Sequence, residues 1–218
     1  MLSALTTSMM RIESLAAQPD RAGRYKVCLD DGSVLRLYRQ TVEDFGLYAG
    51  KELEEEKLKQ LRVAAGQMSA KMRAVRIVSA SSVSKADLER RLVQKGETAA
   101  DAKQAVSWME ELDLLDDRKT AQQVVDRCIG IGYGLARAKQ ALYEKKIPKV
   151  YWDEVLAEYP DQTEKILEFL RSRLGERWEE RDLRRVSDAL LRRGHSYGQI
   201  RKALQIYTDL QEEDEWQI

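Results

Sequence analysis

The stretch LDLLDDRKTAQQVVDRCIGIGYGLARAKQALYEKKI, residues 112–147, decides how this chain folds. It reads as one helix, a glycine turn and a second helix. Val124, Val125 and Ile129 recur at helical spacing, Gly130, Gly132 and Gly134 interrupt the pattern, and Ala138 and Leu142 carry it on to Lys145 and Lys146. Leu115 is placed to pack inward. Asp116 and Asp117 stand where a carboxylate accepts the free amide hydrogens of a first helical turn.

Weaker copies of the second half lie on either side. With Gly96, Lys146 and Gly194 aligned, the intervals are 50 and 48 residues. Leu88 and Leu92, Ala138 and Leu142, and Val186 and Leu190 precede the aligned position, with basic residues just ahead of it (Lys95; Lys145; Arg192 and Arg193). Thr98, Pro148 and Ser196 follow as helix starts, and then come Ala105 and Val106, Val155 and Leu156, Ala203 and Leu204. A fixed period of this length marks tandem supersecondary units, each too small to bury its own apolar face.

The chain has 218 residues, 43% of them hydrophobic and 34% charged, which suits a helix-rich protein with a sizeable core. Thirty-seven basic residues balance 37 acidic ones. With zero formal net charge, any attraction to nucleic acid has to come from a local patch. Cys28 and Cys128 read as two buried thiols in a reducing compartment. No apolar run is long enough to cross a bilayer, and residues 1–10 lack the pattern of an export signal, so a cytoplasmic, membrane-free protein is expected.

Residues 1–65 read differently from the rest. Tyr25, Val27 and Leu29 alternate with polar neighbours, and Val34, Leu35 and Leu37 resume beyond Asp31-Gly32, which predicts a hairpin with a two-residue type I′ turn. Arg11 to Leu15 can add a third strand. Thr41 with Asp44 suggests a capping box opening a short helix that stops at Gly50. Glu52 to about Ala65 suggests a linker helix.

Three three-helix repeats follow, over 66–115, 116–160 and 161–210, with an acidic, frayed tail over 211–218. The first takes Met68 to Val78, a helix capped by Ser84 and Asp87, and one capped by Thr98 and Asp101. The second takes Arg118 to Ile129, Leu135 to Lys146 and Pro148 to Tyr159. The third takes Gln162 to Leu174, Arg181 to Arg193 and Ser196 to Tyr207. The expected fold is therefore mostly α: tandem three-helix repeats in a curved, elongated rod, preceded by a small N-terminal β-hairpin or three-strand element.

No catalytic, cofactor or metal constellation stands out. His195 is the single histidine and reads as a helix-terminus residue. The three glycines follow a helix rather than a strand, without the Lys-Ser or Lys-Thr of a phosphate loop, so they read as a tight interhelical turn. The basic residues are more suggestive. Arg90, Arg91 and Lys95; Arg137, Lys139, Lys145 and Lys146; and Arg184, Arg185, Arg192, Arg193, Arg201 and Lys202 fall on equivalent segments, and stacking would align them as a basic stripe for phosphates or an acidic protein surface. Any one of them could equally be a solvated residue paired with a nearby Glu. Among the aromatics, Trp108, Trp152 and Trp178 are candidates, but Trp152 occupies the slot of Ala102 and Ile200 and reads as core. Tyr133 and Tyr197, beside turn glycines, are better placed for exposed contacts.

In these segments the sequence resembles the RecX regulatory proteins, bacterial modulators of the RecA recombinase. The resemblance is carried by Ser84 to Gly96, Leu114 to Asp117 with Ala121, Gly132 to Gly134 with Arg137 to Lys146, and Leu190 to Leu204, within about residues 66–207. The hairpin and linker look like the N-terminal extension of some members. Thr120 departs from the usual aromatic, and Lys146 from the usual helix-ending glycine. The resemblance implies three-helix repeats and a non-enzymatic monomer. Such a protein sits along the groove of a RecA nucleoprotein filament and inhibits strand exchange, ATP hydrolysis and coprotease function. It would touch single- or double-stranded DNA weakly or through the filament. Two other readings fit the residues: a helical-repeat adaptor without nucleic-acid contact, and a stand-alone DNA-binding protein, which zero net charge disfavours.

Overall fold

The computed structural model describes residues 9–174 and 178–215, with side chains described through residue 210. The expectations for the start of the chain, through residue 8, and for the acidic side chains after residue 210 lie outside the described residues. The chain divides into two compact units. One runs to Ser81 and resumes over Leu88–Leu115, and the other takes Ser82–Asp87 and the chain from Asp116 onward. Ten α-helices and one small antiparallel sheet are present among the described residues.

In the first unit, β1 (Met9–Leu15), β2 (Arg24–Leu29), β3 (Val34–Tyr38) and β4 (Glu52–Glu54) form an antiparallel sheet in the order β3-β2-β1-β4. The period-2 alternation puts Ile12, Val27, Leu29 and Leu37 on one buried face, where they pack with Leu53, Leu58 and Leu61. The fourth strand was not expected: Glu52 to Glu54 pairs with Arg11 to Met9 instead of opening the linker helix. The Asp31-Gly32 turn also differs from the expected type I′. Only Gly32 has a positive φ, 81°, and Gly32 N–H donates to Leu29 O (3.0 Å) while Leu29 N–H donates to Ser33 O (2.9 Å). This is a type I turn closed by a left-handed glycine, which lets Asp31 keep an ordinary backbone.

Helix α1 (Arg39–Asp44) starts three residues earlier than the capping-box reading, with Tyr38 as its N-cap and no side-chain cap. The linker and the first repeat helix are one helix, α2 (Glu55–Ala80). Gly66 does not break it, because its bare Cα admits α4 (Ala99–Glu111): a Cβ there would meet Asp101 Oδ2 at 2.9 Å. Ala70 and Ala74 continue this small-residue ridge one and two turns on, fully buried, facing a helix that buries Ala102 and Ala105. Thr98 caps α4 as expected, accepting from Asp101 N–H at 3.1 Å. Between them, α3 (Lys85–Gln94) buries Leu88 and Leu92 completely, each contributing about 2 kcal/mol.

The second unit contains α5 (Asp117–Ile131), α6 (Leu135–Glu144), a 3-10 turn (Lys149–Tyr151), α7 (Trp152–Leu156), α8 (Thr163–Arg173), α9 (Glu180–Arg192) and α10 (Tyr197–Glu215). The single helix expected over Pro148 to Tyr159 is thus a 3-10 turn followed by a short α-helix. Where fraying was expected, the α10 backbone stays helical to Glu215. Ala121, Val125, Leu142, Ile147 and Val155 form one core, and Ile166, Leu170, Val186, Leu190, Ile200 and Ala203 another.

The aligned positions share one local conformation. Gly96, Lys146 and Gly194 are left-handed, with φ of 94°, 55° and 87°. In each case the next residue's N–H reaches back to the buried leucine: Glu97 to Leu92 O (3.1 Å), Ile147 to Leu142 O (3.0 Å) and His195 to Leu190 O (3.2 Å). This is the Schellman closure, which satisfies carbonyls that a helix end leaves free.

Candidate binding surface

The glycine turn after α5 forms a junction with the end of α9. Three successive carbonyls at the α5 C-terminus each receive a side-chain donor: Ile131 O from Arg193 Nη2 (2.8 Å), Gly132 O from His195 Nε2 (3.1 Å) and Tyr133 O from Tyr159 Oη (2.7 Å). Two of the groups adjust their proton affinity to this burial. Burial holds the His195 imidazole below its ordinary range and pushes the Tyr159 hydroxyl up to about 12. Because its partner is a carbonyl, His195 carries its proton on Nε2, and the buried Nδ1 has no partner among the described residues. The backbone closes the junction from the other side. Gly134 N–H donates to Arg193 O (2.9 Å) and Ala136 N–H to Gly194 O (3.3 Å), so the N-terminus of α6 sits on the C-terminus of α9 and their dipoles run head to tail.

The same contact recurs one register earlier. Ser84, 50 residues before Gly134, donates from its hydroxyl to Lys145 O (2.6 Å) and accepts from Asp87 N–H (3.1 Å). Lys85 N–H is capped by Asp117 Oδ1 at 2.8 Å, and Asp117 is 5% exposed. Asp116 is the N-cap of α5 itself, accepting from Arg118 and Lys119, and these bonds hold its carboxyl below the usual range. The two adjacent aspartates therefore cap two different helices.

This geometry divides the basic candidates. Lys145 and Arg193 occupy equivalent positions, and both reach a backbone carbonyl about 60 residues away: Lys145 Nζ lies 3.4 Å from Ser82 O, and Arg193 meets Ile131 O. They act as staples between helix ends. Arg193 also lies over the rings of Tyr133 (5.0 Å) and Phe169 (5.1 Å), and Arg137 over that of Tyr133 (5.9 Å) while paired with Glu144 (3.0 Å). Tyr133 is half-buried and has two guanidinium groups against its ring, so it is not the exposed contact expected of it. Tyr197, at 73% exposure, remains open.

Arg184 is paired with Glu180 along α9 (2.7 Å), and Lys202 lies 3.9 Å from Asp161. Lys139, Lys146, Arg185, Arg192 and Arg201 are exposed and make no ion pair with any described residue. In the first unit Arg90 is exposed and donates to Gln94 (3.1 Å), whereas Arg91 and Lys95 line a cavity with Arg24, Arg73 and Arg76, three residues that the sequence pattern gave no reason to join to them. Of the tryptophans, Trp152 is half-buried and donates from Nε1 to Ile147 O (3.1 Å), Trp178 packs against the α8–α10 core, and Trp108 lies under Lys71 (5.2 Å). No group of His, Cys, Asp and Glu able to hold a metal occurs among the described residues. No helix among them is long and apolar enough to cross a membrane.

These features define a class: mostly helical proteins whose helix ends close in a repeated register, joined to a small antiparallel sheet. No family model matches the chain. Over 210 residues it is 25% identical to Regulatory protein RecX of Clostridioides difficile (strain 630), covering 94% of this chain and 97% of that protein. Over 140 residues it is 25% identical to Regulatory protein RecX of Vibrio parahaemolyticus serotype O3:K6 (strain RIMD 2210633), covering 63% and 90%. Its fold is that of a crystal structure of regulatory protein RecX, with a TM-score of 0.58 at 22% identity over 92% of this chain and 99% of the other. The crystal structure of RecX from Lactobacillus salivarius gives 0.55 at 21% identity over 66% and 98%. The chain is thus similar over almost its whole length to a protein named Regulatory protein RecX, and it shares the fold of the RecX crystal structures.

Proposed function

We propose that this chain is a RecX-type regulator that binds along a RecA nucleoprotein filament and restrains its strand exchange, ATP hydrolysis and coprotease activity. It does so without chemistry of its own, as a monomer in the cytoplasm. The observation that carries this reading is the near full-length similarity to a protein named Regulatory protein RecX. Tandem three-helix repeats over 66–115, 116–160 and 161–210 are part of the same proposal. The recurring helix closure at Gly96, Lys146 and Gly194 supports them.

Within this reading, the exposed Lys139, Lys146, Arg185, Arg192, Arg201 and Tyr197 are the surface contacts, while Lys145, Arg193, Arg137 and Tyr133 keep the helices in place. Zero net charge makes protein contacts the main source of affinity, with the exposed cations adding a salt-sensitive part. The test is RecA-dependent ATP hydrolysis on single-stranded DNA. Substoichiometric amounts of this protein are expected to lower the rate, and Arg185→Glu with Arg192→Glu to weaken the effect at unchanged fold. Unchanged hydrolysis at all amounts would remove the proposal.

A further inference from the structure

The first unit holds a concave basic cavity that the filament reading does not use. Its volume is about 480 Å³, within the size range of small-ligand sites. Five cationic side chains line it, Arg24, Arg73, Arg76, Arg91 and Lys95, with the Tyr38 hydroxyl among them, and no carboxylate among the described residues does so.

The nearby acids account for only part of this charge. Asp20 pairs with Arg24 at 2.9 Å, and Glu97, its side chain 7% exposed, pairs with Arg73 at 2.7 Å. Arg76 has only uncharged partners among the described residues: Nη2 donates to Tyr38 Oη (2.7 Å) and Nε to Met72 O (3.2 Å). Tyr38 Oη thus accepts one bond and keeps its own hydrogen for a further acceptor. Lys95 is exposed and makes no ion pair with any described residue. Its register equivalents, Lys145 and Arg193, direct their charges to backbone carbonyls, and Lys95 has no such staple among the described residues.

We propose that this cavity is a phosphate site, taking the phosphoryl oxygens of a ligand that carries more than one phosphate group. A concave cluster in which Arg76 and Lys95 have no carboxylate partner among the described residues favours an anion of high charge density. Guanidinium forks match phosphoryl oxygens two at a time, and the lysine adds a mobile point charge. Several cations around one cavity suit consecutive phosphates better than a single carboxylate. The ligand is therefore either a free polyphosphate, such as the tail of a nucleotide, or successive backbone phosphates of a single strand. Binding here requires no RecA, so the site stands or falls separately from the filament reading.

The experiment uses the full chain without RecA. Tripolyphosphate is titrated by calorimetry and a fluorescein-labelled oligothymidylate by anisotropy, for the natural protein and for Lys95→Gln, Arg76→Gln and, as a control in the other unit, the exposed Arg171→Gln. At least one probe is expected to bind. Lys95→Gln and Arg76→Gln should each weaken it about tenfold and lower the salt slope by about one, and the control should leave tripolyphosphate binding unchanged. Competition between the two probes would identify backbone phosphates as the ligand, whereas tripolyphosphate binding alone would identify a free polyphosphate. Lys95→Gln changes an exposed side chain and preserves the test if Arg76→Gln disturbs folding. Failure of both probes to bind at millimolar concentration, or binding insensitive to Lys95→Gln, would overturn the proposal.

Discussion

Replacing Gly134 by Ala tests the seating of α6 on α9 with a single methyl group. Gly134 has φ of −75° and ψ of 165°, a conformation open to any residue, so the substitution carries no backbone strain of its own. The added Cβ would lie 2.1 Å from Gly194 O, 2.2 Å from its carbonyl carbon and 2.5 Å from His195 N. Van der Waals contact requires these atoms to part by more than about 1 Å. That movement breaks the Gly134-to-Arg193 and Ala136-to-Gly194 bonds, at about 1 kcal/mol each, and adds about 2 kcal/mol of overpacking. The expected loss is about 4 kcal/mol, a large share of the roughly 5–15 kcal/mol that holds a domain folded.

Urea denaturation followed by circular dichroism measures this loss, and the midpoint is expected to fall by more than about 1 M. Gly130→Ala is the matched control. It sits in α5 with nothing within 4 Å of its added Cβ, and should stabilise by about 0.5–1 kcal/mol through helix propensity. If Gly134→Ala changed stability by less than about 1 kcal/mol, the junction would not hold the second unit as described.

Other substitutions probe the helix ends and the buried imidazole. Lys146 is left-handed with φ of 55°, so Lys146→Gly should stabilise by about 1 kcal/mol, raising Tm by about 2–4 °C, while Asp113→Gly (φ 56°) should gain less because Asp tolerates this region better. Burial lowers the proton affinity of His195, so as pH falls through about 6.5 the unfolded chain takes up the proton first. Stability is therefore fully present above pH 6.5 and declines below it, and His195→Gln should flatten urea midpoints compared between pH 7.5 and 5.5. Asp117→Ala removes the buried cap on Lys85 N–H and should cost about 2 kcal/mol, against about 1 kcal/mol for Asp116→Ala, in the same urea assay.

The sequence reveals most where structure is local. A left-handed helix end is a local feature, and at Gly96, Lys146 and Gly194 it follows a buried leucine by four positions, so these three betray their common register. Strand alternation likewise shows Val27, Leu29 and Leu37 facing inward. The rest depends on partners distant in sequence. Glu52 to Glu54 has the composition of a helix start and becomes a strand because β1 offers it an edge about 40 residues upstream. Gly66 looks like a break but is tolerated because α4 fills the space that its missing side chain leaves. The basic residues are the sharpest case. Lys145 and Arg193 look like part of a stripe, and nothing near them in the chain shows that their partners are Ser82 O and Ile131 O, 63 and 62 residues away. Arg24, Arg73 and Arg76 come from a strand and a helix, and only folding gathers them beside Arg91 and Lys95.

The central claim is that this chain occupies the surface of a recombinase filament. It is tested most directly by sedimenting preassembled RecA filaments on single-stranded DNA with this protein, at about 0.15 M salt, where exposed charges are screened beyond about 8 Å. The protein is expected to pellet with filaments to a greater extent than with bare DNA. Equal partition with bare DNA, or absence from the filament pellet, would contradict the account.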